Sequence, residues 1–141
     1  MKKIMSALIA GSILALSGTG PAVQPVTANT ADTAMPMAVL ISNIDAKISA
    51  NSSTSVHCIS IASGSNLTKL EITQTLQRLS SNGSWTDRYS KMKTFYSSSA
   101  TYENDFGSLT SGTYRTKTYA KAYKGSSTDT RTYYSTQTVT L

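Results

Sequence analysis

The chain has very few of the residues on which disulfide bonds, metal sites and nucleophilic catalysis depend. It contains one cysteine, Cys58, and one histidine, His57, in 141 residues. A lone cysteine forms no internal disulfide, so a domain of this size has to be held together by its packed core. We expect Cys58 to be a small, buried apolar residue. Metal binding needs clustered His, Cys or carboxylate ligands, and we predict neither a metal nor a cofactor.

A catalytic constellation is also missing from the sequence. His57 and Cys58 are adjacent, and adjacent side chains of a strand point to opposite faces, so these two cannot act together as base and nucleophile. No Gly-x-Ser-x-Gly nucleophile elbow occurs. Nothing selects a carboxylate pair for glycoside hydrolysis, and we predict that the protein is not an enzyme. Six of the acids have strand or turn contexts that we expect to be exposed: Asp45, Glu71, Asp87, Glu103, Asp105 and Asp129.

No apolar run is long enough to span a bilayer. The longest, residues 4–16, falls short of the ~20 residues that a membrane-spanning helix needs. Lys2 and Lys3 precede it, and helix-breaking glycines and prolines follow it before the small residues at 26–28. A charged start, a short apolar run and small residues at a cleavage site are typical of a signal peptide. We therefore predict that residues 1–28 are a signal peptide.

The predicted signal peptide divides the chain and indicates where the protein goes. Cleavage after Ala28, with Ala22 as the alternative site, leaves enough residues for one domain. We interpret residues 29–40 as a flexible leader and residues 41–141 as that domain, secreted and extracellular, with no membrane span after cleavage. The two signal lysines leave with the peptide, so the formal net charge of +6 becomes +4. This excess permits an anionic partner without requiring one.

From residue 44 onward the hydrophobic pattern has a period of two. Ile44, Ala46 and Ile48 alternate with polar residues, and Leu70 and Ile72 continue the pattern further along. Such alternation is typical of strands with one buried face, and turn-forming Ser, Asn and Gly clusters separate the runs at roughly ten-residue intervals. The pattern predicts an all-β sandwich of about seven strands in a domain of this length, near 43–50, 55–62, 68–79, 85–95, 99–106, 113–123 and 130–140.

One local pattern narrows the fold further. The run from Leu109 through Gly112 and Tyr114 to Ala120 resembles the entry to the penultimate strand of immunoglobulin-like and fibronectin type III domains. In those domains the tyrosine hydroxyl bonds back to upstream backbone, so the resemblance implies an immunoglobulin-like antiparallel β-sandwich. Two departures are the Gly–Tyr spacing, two residues rather than three, and the third-strand tryptophan, for which Trp85 is the one candidate. The chain also resembles small stand-alone secreted β-proteins of Gram-positive bacteria, and neither resemblance implies a catalytic residue.

The strand at 113–123 carries the one constellation that suggests a ligand. If its even-numbered residues face the core, its outer face alternates cations with aromatic rings, which could stack on sugars and pair with phosphates or uronates. Lys124 and Arg131 would extend this face. The structural alternative is that cross-strand Tyr and Lys contacts only stabilise the sheet. The five residues of this basic–aromatic stripe are Arg115, Lys117, Tyr119, Lys121 and Tyr123.

These observations favour a secreted, non-catalytic binding protein. The partner predicted from the stripe is an anionic polysaccharide or cell-wall polymer, and no nucleic acid partner is expected. Two alternatives stay open. One is a self-assembling matrix protein whose Thr- and Tyr-rich edge strands pair between chains. The other is a small secreted antagonist or toxin, which the size of the chain permits and no motif supports. The protein partner is not indicated by the sequence.

Overall fold

The computed structural model describes residues 38–141, and every regular element in them is a strand. The predicted signal peptide and nearly all of the predicted leader lie outside these residues. Within them, no helix is long and apolar enough to cross a membrane. The eight strands are β1 (Ile41–Ser52), β2 (Ser55–Gly64), β3 (Lys69–Leu79), β4 (Trp85–Phe95), β5 (Ser99–Phe106), β6 (Thr113–Lys124), β7 (Ser127–Tyr134) and β8 (Val139–Thr140).

The strands form two antiparallel sheets that pack face to face, which confirms the predicted sandwich. One sheet has the order β1-β2-β5, and the other has the order β4-β3-β6-β7, with β8 pairing the start of β6. This is an immunoglobulin-like order in which the fourth strand lies beside the third, in the second sheet. The Tyr114 hydroxyl donates to the Thr110 carbonyl oxygen at 2.6 Å, so the expected tyrosine corner is present. Trp85 is half-buried at the start of β4 rather than in the core.

The predicted seventh strand, 130–140, is two strands in the structure. The ladder between β6 and β7 ends at Ser135, whose N–H donates to the Thr116 carbonyl oxygen at 2.8 Å. The Ser135 hydroxyl then accepts from the Thr116 N–H at 3.1 Å, a bond that a backbone carbonyl would make in a continuing ladder. The chain leaves the sheet there and rejoins β6 as β8, where Val139 pairs with Tyr114. Because of this interruption, Tyr133 and Val139 belong to two different strands, β7 and β8, although both lie within the single strand predicted for residues 130–140.

A layer of polar side chains divides the core into two apolar clusters. Ser60, Gln74 and Thr118 are completely buried and lie midway along β2, β3 and β6. The Gln74 amide nitrogen donates to the Ser60 hydroxyl at 2.9 Å, and Asn104 donates to the Gln74 amide oxygen at 3.0 Å. Buried polar groups are tolerated when they are bonded in this way. One cluster contains Leu40, Ile41, Ala62, Leu67, Leu70, Ile72, Ala100, Ala120 and Ala122, and the other Ile48, Val56, Cys58, Leu76, Phe106, Leu109 and Tyr114.

Side chains of the second sheet close the free edge of β1. The Thr116 and Thr118 hydroxyls donate to the carbonyl oxygens of Lys47 (3.1 Å) and Asp45 (3.3 Å). Asp129 Oδ2 accepts from the Leu40 N–H at 2.9 Å and the Ile41 N–H at 3.0 Å. Asp129 is only 8% exposed, so the prediction that it is exposed was wrong, because a strand carboxylate can face inward when backbone donors meet it. We call Thr116, Thr118 and Asp129 the β1 clasp.

We predict that Thr118→Val lowers the free energy of unfolding. Valine has nearly the same shape, but it removes the hydroxyl that contacts both the completely buried Ser60 hydroxyl at 2.7 Å and the part-buried Asp45 carbonyl oxygen at 3.3 Å, at a cost of about 1–3 kcal/mol. Urea denaturation measures the loss. Thr132 is exposed on the neighbouring strand β7, so Thr132→Val is the matched control and should change stability by less than ~0.5 kcal/mol. Equal stability of the two variants would contradict this role for Thr118.

A second prediction concerns how the stability of the fold depends on pH through the buried carboxyl of Asp129. Burial on its own would raise the pKa of Asp129, but the N–H groups of Ile41 and Leu40 hold that pKa below its ordinary value. A carboxyl of this kind stabilises the fold fully above its unfolded pKa of about 3.9, and the contribution is lost as the pH falls through the folded value. Asp129→Asn should therefore be less stable than the native protein at neutral pH and should lose less stability on acidification. Parallel acid slopes for the two proteins would contradict the prediction.

Candidate functional site: the outer face of the five-stranded sheet

The basic–aromatic stripe lies along β6, on the outer face of the sheet β4-β3-β6-β7. The five intervening residues predicted to face the core are all buried, which confirms the predicted alternation. Within the stripe, Tyr119 is 38% exposed and the other four side chains are half-buried by neighbours on β3, β4 and β7. The contacts of each side chain therefore separate the stripe residues that are ion-paired or stacked on rings within the sheet from those that are not.

Arg115 is held in place by its neighbours. Its guanidinium carbon lies 4.4 Å from the centre of the Trp85 ring and 4.2 Å from the centre of the Tyr134 ring. Its Nε donates to the Gln77 side-chain oxygen at 2.8 Å. Contacts of a guanidinium with aromatic faces are favourable, and the strand pairing of β3, β4, β6 and β7 aligns all these groups. Arg115 therefore supports two rings rather than standing free.

Lys117 is ion-paired within the face. Its ammonium lies 3.1 Å from Asp87 Oδ2 on β4. The Gln77 amide nitrogen also donates to Asp87 Oδ1 at 2.6 Å, which joins this pair to Arg115. The Gln77 hydrogen bond and then Lys117 hold the pKa of Asp87 below its ordinary value, so the Asp87 carboxylate is charged at neutral pH. The Asp87 carboxylate compensates much of the Lys117 charge.

The far end of the stripe is also paired. Lys69 lies 2.7 Å from Glu71 Oε2, and its ammonium sits 3.9 Å from the centre of the Tyr123 ring. The hydrogen bond from Lys69 lowers the pKa of Glu71, and the same bond raises the pKa of Lys69. Tyr123 is thus covered by a lysine that another strand supplies. The sequence pattern along β6 alone contained no sign of this partner.

The middle of the face is open. Tyr119 lies between Thr73 and Thr132 in the strand pairing, and Met92, opposite Thr73 on β4, is 60% exposed. Lys121 has no carboxylate within salt-bridge distance among the described residues, and its ammonium lies 5.2 Å from the centre of the Tyr123 ring. Tyr119 and Lys121, with the exposed hydroxyls of Thr130 and Thr132 beside them on β7, form what we call the central patch.

Neither proposed extension of the stripe lies on this face. Arg131 is opposite the buried Ala120, so its side chain starts on the core-facing side of β7, where its Nε is 3.7 Å from Asp129 Oδ1. Lys124 has the even parity of the core-facing residues and ends β6 at an exposed turn. The prediction for these two was wrong because side chains alternate between the faces of a sheet: Lys124 has the core-facing parity of β6, and Arg131 lies opposite a core-facing residue.

Strand pairing assembles a second polar cluster that the sequence pattern did not indicate. His57 Nδ1 lies 2.8 Å from Asp105 Oδ1, and His57 Nε2 lies 3.9 Å from Glu103 Oε1. Asn51 Nδ2 donates to the same Asp105 oxygen at 2.8 Å. The hydrogen bond with His57 lowers the pKa of Asp105. Because the two carboxylates contact opposite ring nitrogens, they do not converge on one ion.

Cys58 faces away from His57, into the core. It is completely buried, and burial raises the pKa of its thiol to about 11. The thiol is therefore protonated at neutral pH and has no nucleophilic character there. The predictions that Cys58 is buried and that it does not meet His57 are both confirmed.

The Arg115 contacts can be tested by fluorescence, because Trp85 is the sole tryptophan of the chain. We predict that Arg115→Ala uncovers the Trp85 ring, so the emission maximum moves to longer wavelength and acrylamide quenching increases. Lys121→Ala changes a cation of the same strand that does not contact Trp85, and it should leave both readings unchanged. Identical emission and quenching in the native protein and Arg115→Ala would contradict the observed stacking.

Comparisons with known proteins add no family to this description. No protein-family model matches the chain, and no curated protein matches it. The function has to be argued from the arrangement of the outer face itself.

Proposed function

We propose that this protein is a secreted, non-catalytic binding protein whose central patch contacts an extended anionic glycan. The observation that carries the proposal is an exposed tyrosine ring, Tyr119, beside the ammonium of Lys121, which makes no salt bridge among the described residues, on a face whose other cations are ion-paired or stacked on rings. The signal-like residues 1–28 support export, and the short apolar run within them supports cleavage rather than anchoring.

The chemistry of the central patch suits a sugar polymer. An aromatic ring presents a flat apolar surface with a negative π-face, against which the C–H groups of a pyranose can stack. The ammonium of Lys121 supplies a mobile point charge for a uronate or phosphate. Thr130 and Thr132 add hydroxyls that both donate and accept hydrogen bonds, as the hydroxyls of a sugar require.

The charge of the face favours an anionic partner over a neutral one. Four cations and two carboxylates lie on the paired strands β3, β4 and β6 of this face, which leaves a net positive surface. Two of the cations are ion-paired with carboxylates and one is stacked between rings, so among the described residues of this face Lys121, in the central patch, is the cation with no carboxylate within salt-bridge distance. The four cations are Lys69, Arg115, Lys117 and Lys121, and the carboxylates are Glu71 and Asp87.

Arg115 and Lys117 have a supporting role in this proposal. Their contacts hold Trp85, Tyr134 and Asp87 in place and so keep one end of the face flat and rigid. A rigid face loses little conformational entropy when a ligand binds. The original five-residue stripe is thereby reduced to two contact residues and their supports.

Retention on immobilised polygalacturonate at low salt tests the proposal. We expect Tyr119→Ala to weaken binding about fivefold, since lost stacking is worth roughly 1 kcal/mol, and Tyr119→Phe to restore most of it. Lys121→Ala should weaken binding and reduce its dependence on salt, because exposed charges are screened within ~10 Å at 0.1 M. Binding of the native protein should fall as salt rises.

The matched control is Lys124→Ala, which removes an exposed cation of the same strand outside the central patch. It should bind as the native protein does. The proposal is wrong if the native protein is not retained on polygalacturonate or on purified teichoic acid at low salt. It is also wrong if Lys124→Ala and Lys121→Ala weaken binding equally.

A further inference from the structure

We infer that two copies of this chain associate through the free edge of β7, in an antiparallel pairing centred on Thr130. The inference concerns the backbone edge of β7, the strand that also carries the Thr130 and Thr132 side chains of the central patch, and it does not depend on glycan binding. It rests on which backbone groups of β7 point away from the sheet, on how the other edges of the described sandwich are closed, and on the charges of two residues.

The hydrogen-bond parity of β7 shows which backbone groups point outward. The N–H of Ser135 donates to β6, so the odd-numbered residues of this stretch direct their backbone groups to that neighbour. The even-numbered residues Thr128, Thr130 and Thr132 therefore direct their N–H and C=O groups away from the sheet. All three are exposed, and among residues 38–141 β7 is the last strand of its sheet. Within the molecule, the Thr130 N–H has the neighbouring Asp129 carboxylate as an acceptor.

The other three edges of the described sandwich are protected. The clasp closes β1. A register shift interrupts the ladder of β4, and Lys91 and Lys93 alternate along that strand. On β5, Glu103 and Asp105 occupy edge positions, and the Lys91 ammonium reaches the Asp105 carbonyl oxygen at 3.5 Å. Charged side chains and bulges are the usual means of keeping strand edges from pairing. The outward residues of β7 are threonines, which are strong strand formers and carry no charge.

The charges of β7 select one register for a pairing with its own copy. When Thr130 lies opposite Thr130 of the second copy, Asp129 lies opposite Arg131 of that copy, and Arg131 lies opposite its Asp129. Thr128 then lies opposite Thr132. Opposite charges and threonine pairs across strands are both favourable. The nearest alternative registers that keep the hydrogen-bond parity centre on Asp129 or on Arg131, and each places like charges opposite one another.

The charges of Asp129 and Arg131 also disfavour pairing of β7 with any strand other than β7 of a second copy. Core-facing charges on an edge strand normally oppose pairing, because an arbitrary neighbour leaves them uncompensated. Here they have opposite signs and are two residues apart, so an antiparallel copy compensates both. Asp129 uses Oδ2 for the β1 backbone, while Oδ1 faces Arg131 at 3.7 Å. Oδ1 makes no bond to the β1 backbone, and in the proposed pairing it is the oxygen that would meet Arg131 of the second copy, in a close, non-hydrogen-bonded pair.

This pairing would join the β4-β3-β6-β7 sheets of the two copies into one sheet. The two-fold axis of an antiparallel pair within one sheet is normal to that sheet, so the outer faces of both copies lie on the same side. Their two central patches would then face one surface. The strand contact is short, and interfaces that bury less than about 1,000 Å² are weak, so we expect a concentration-dependent dimer rather than an obligate one.

Cysteine crosslinking tests the register. The two Cα atoms of a hydrogen-bonded antiparallel pair are about 5.5 Å apart, within the range that a disulfide spans. Thr130→Cys should therefore give a disulfide-linked dimer on mild oxidation. Thr132→Cys is the matched control, since its two copies would be four residues, or ~13 Å, out of register. The native Cys58 is completely buried and should not interfere.

Sedimentation of charge variants, without any glycan, provides a second measurement. The native protein should show a concentration-dependent dimer, and Arg131→Asp should weaken it at least tenfold, because it places like charges opposite one another twice. Lys124→Asp makes the same charge change outside the strand contact and should leave association unchanged, and circular dichroism verifies that both variants are folded. A native protein that is monomeric at all concentrations, or equal crosslinking of Thr130→Cys and Thr132→Cys, would overturn the inference.

Discussion

The sandwich depends on how the free edge of β1 is satisfied. Backbone groups of an edge strand that face the protein have to be bonded, and no strand of the described structure pairs with β1 on that side. Two hydroxyls of β6 and a carboxylate of β7 make these bonds instead, so the two sheets are joined by side chains. This is a polar substitute for the covalent bridge between sheets that a chain with a single cysteine cannot form.

The buried polar layer has a related consequence for register. Gln74, Ser60 and Thr118 satisfy one another only when β2, β3 and β6 stand at the same height in the sandwich. A slip of two residues would keep the inside–outside alternation but would place each of these groups against an apolar cluster, where it costs free energy. The layer therefore specifies one alignment among several that hydrophobic patterning alone would allow. The two apolar clusters contribute stability, and the layer between them contributes uniqueness.

The sequence predicted features that depend on neighbouring residues along the chain, and it did not predict contacts between strands that are distant in the sequence. Period-two alternation located six strands and the inward face of β6, and the pattern around Tyr114 indicated its hydrogen bond. Contacts between distant strands carry no local pattern, which is why the stacking of Arg115 between Trp85 and Tyr134 was not foreseen. The inward position of Asp129 was missed for the same reason, since its donors are almost ninety residues away in the chain. The register of the paired strands determines which side chains meet on a sheet face, and that register is established only when the strands pair.

The two surfaces of interest both follow from the way β1 is held. If the backbone of β1 were hydrogen-bonded to the backbone of β7, the outward N–H and C=O groups of β7 would be used and that edge would be closed. The Asp129 side chain holds the start of β1 instead, so the backbone of β7 keeps its outward groups. Because the clasp residues Thr116 and Thr118 point inward from β6, the intervening stripe residues point outward on a strand that is anchored on both sides. Closing one edge with side chains thus leaves a rigid outer face and one open strand edge in the same sheet.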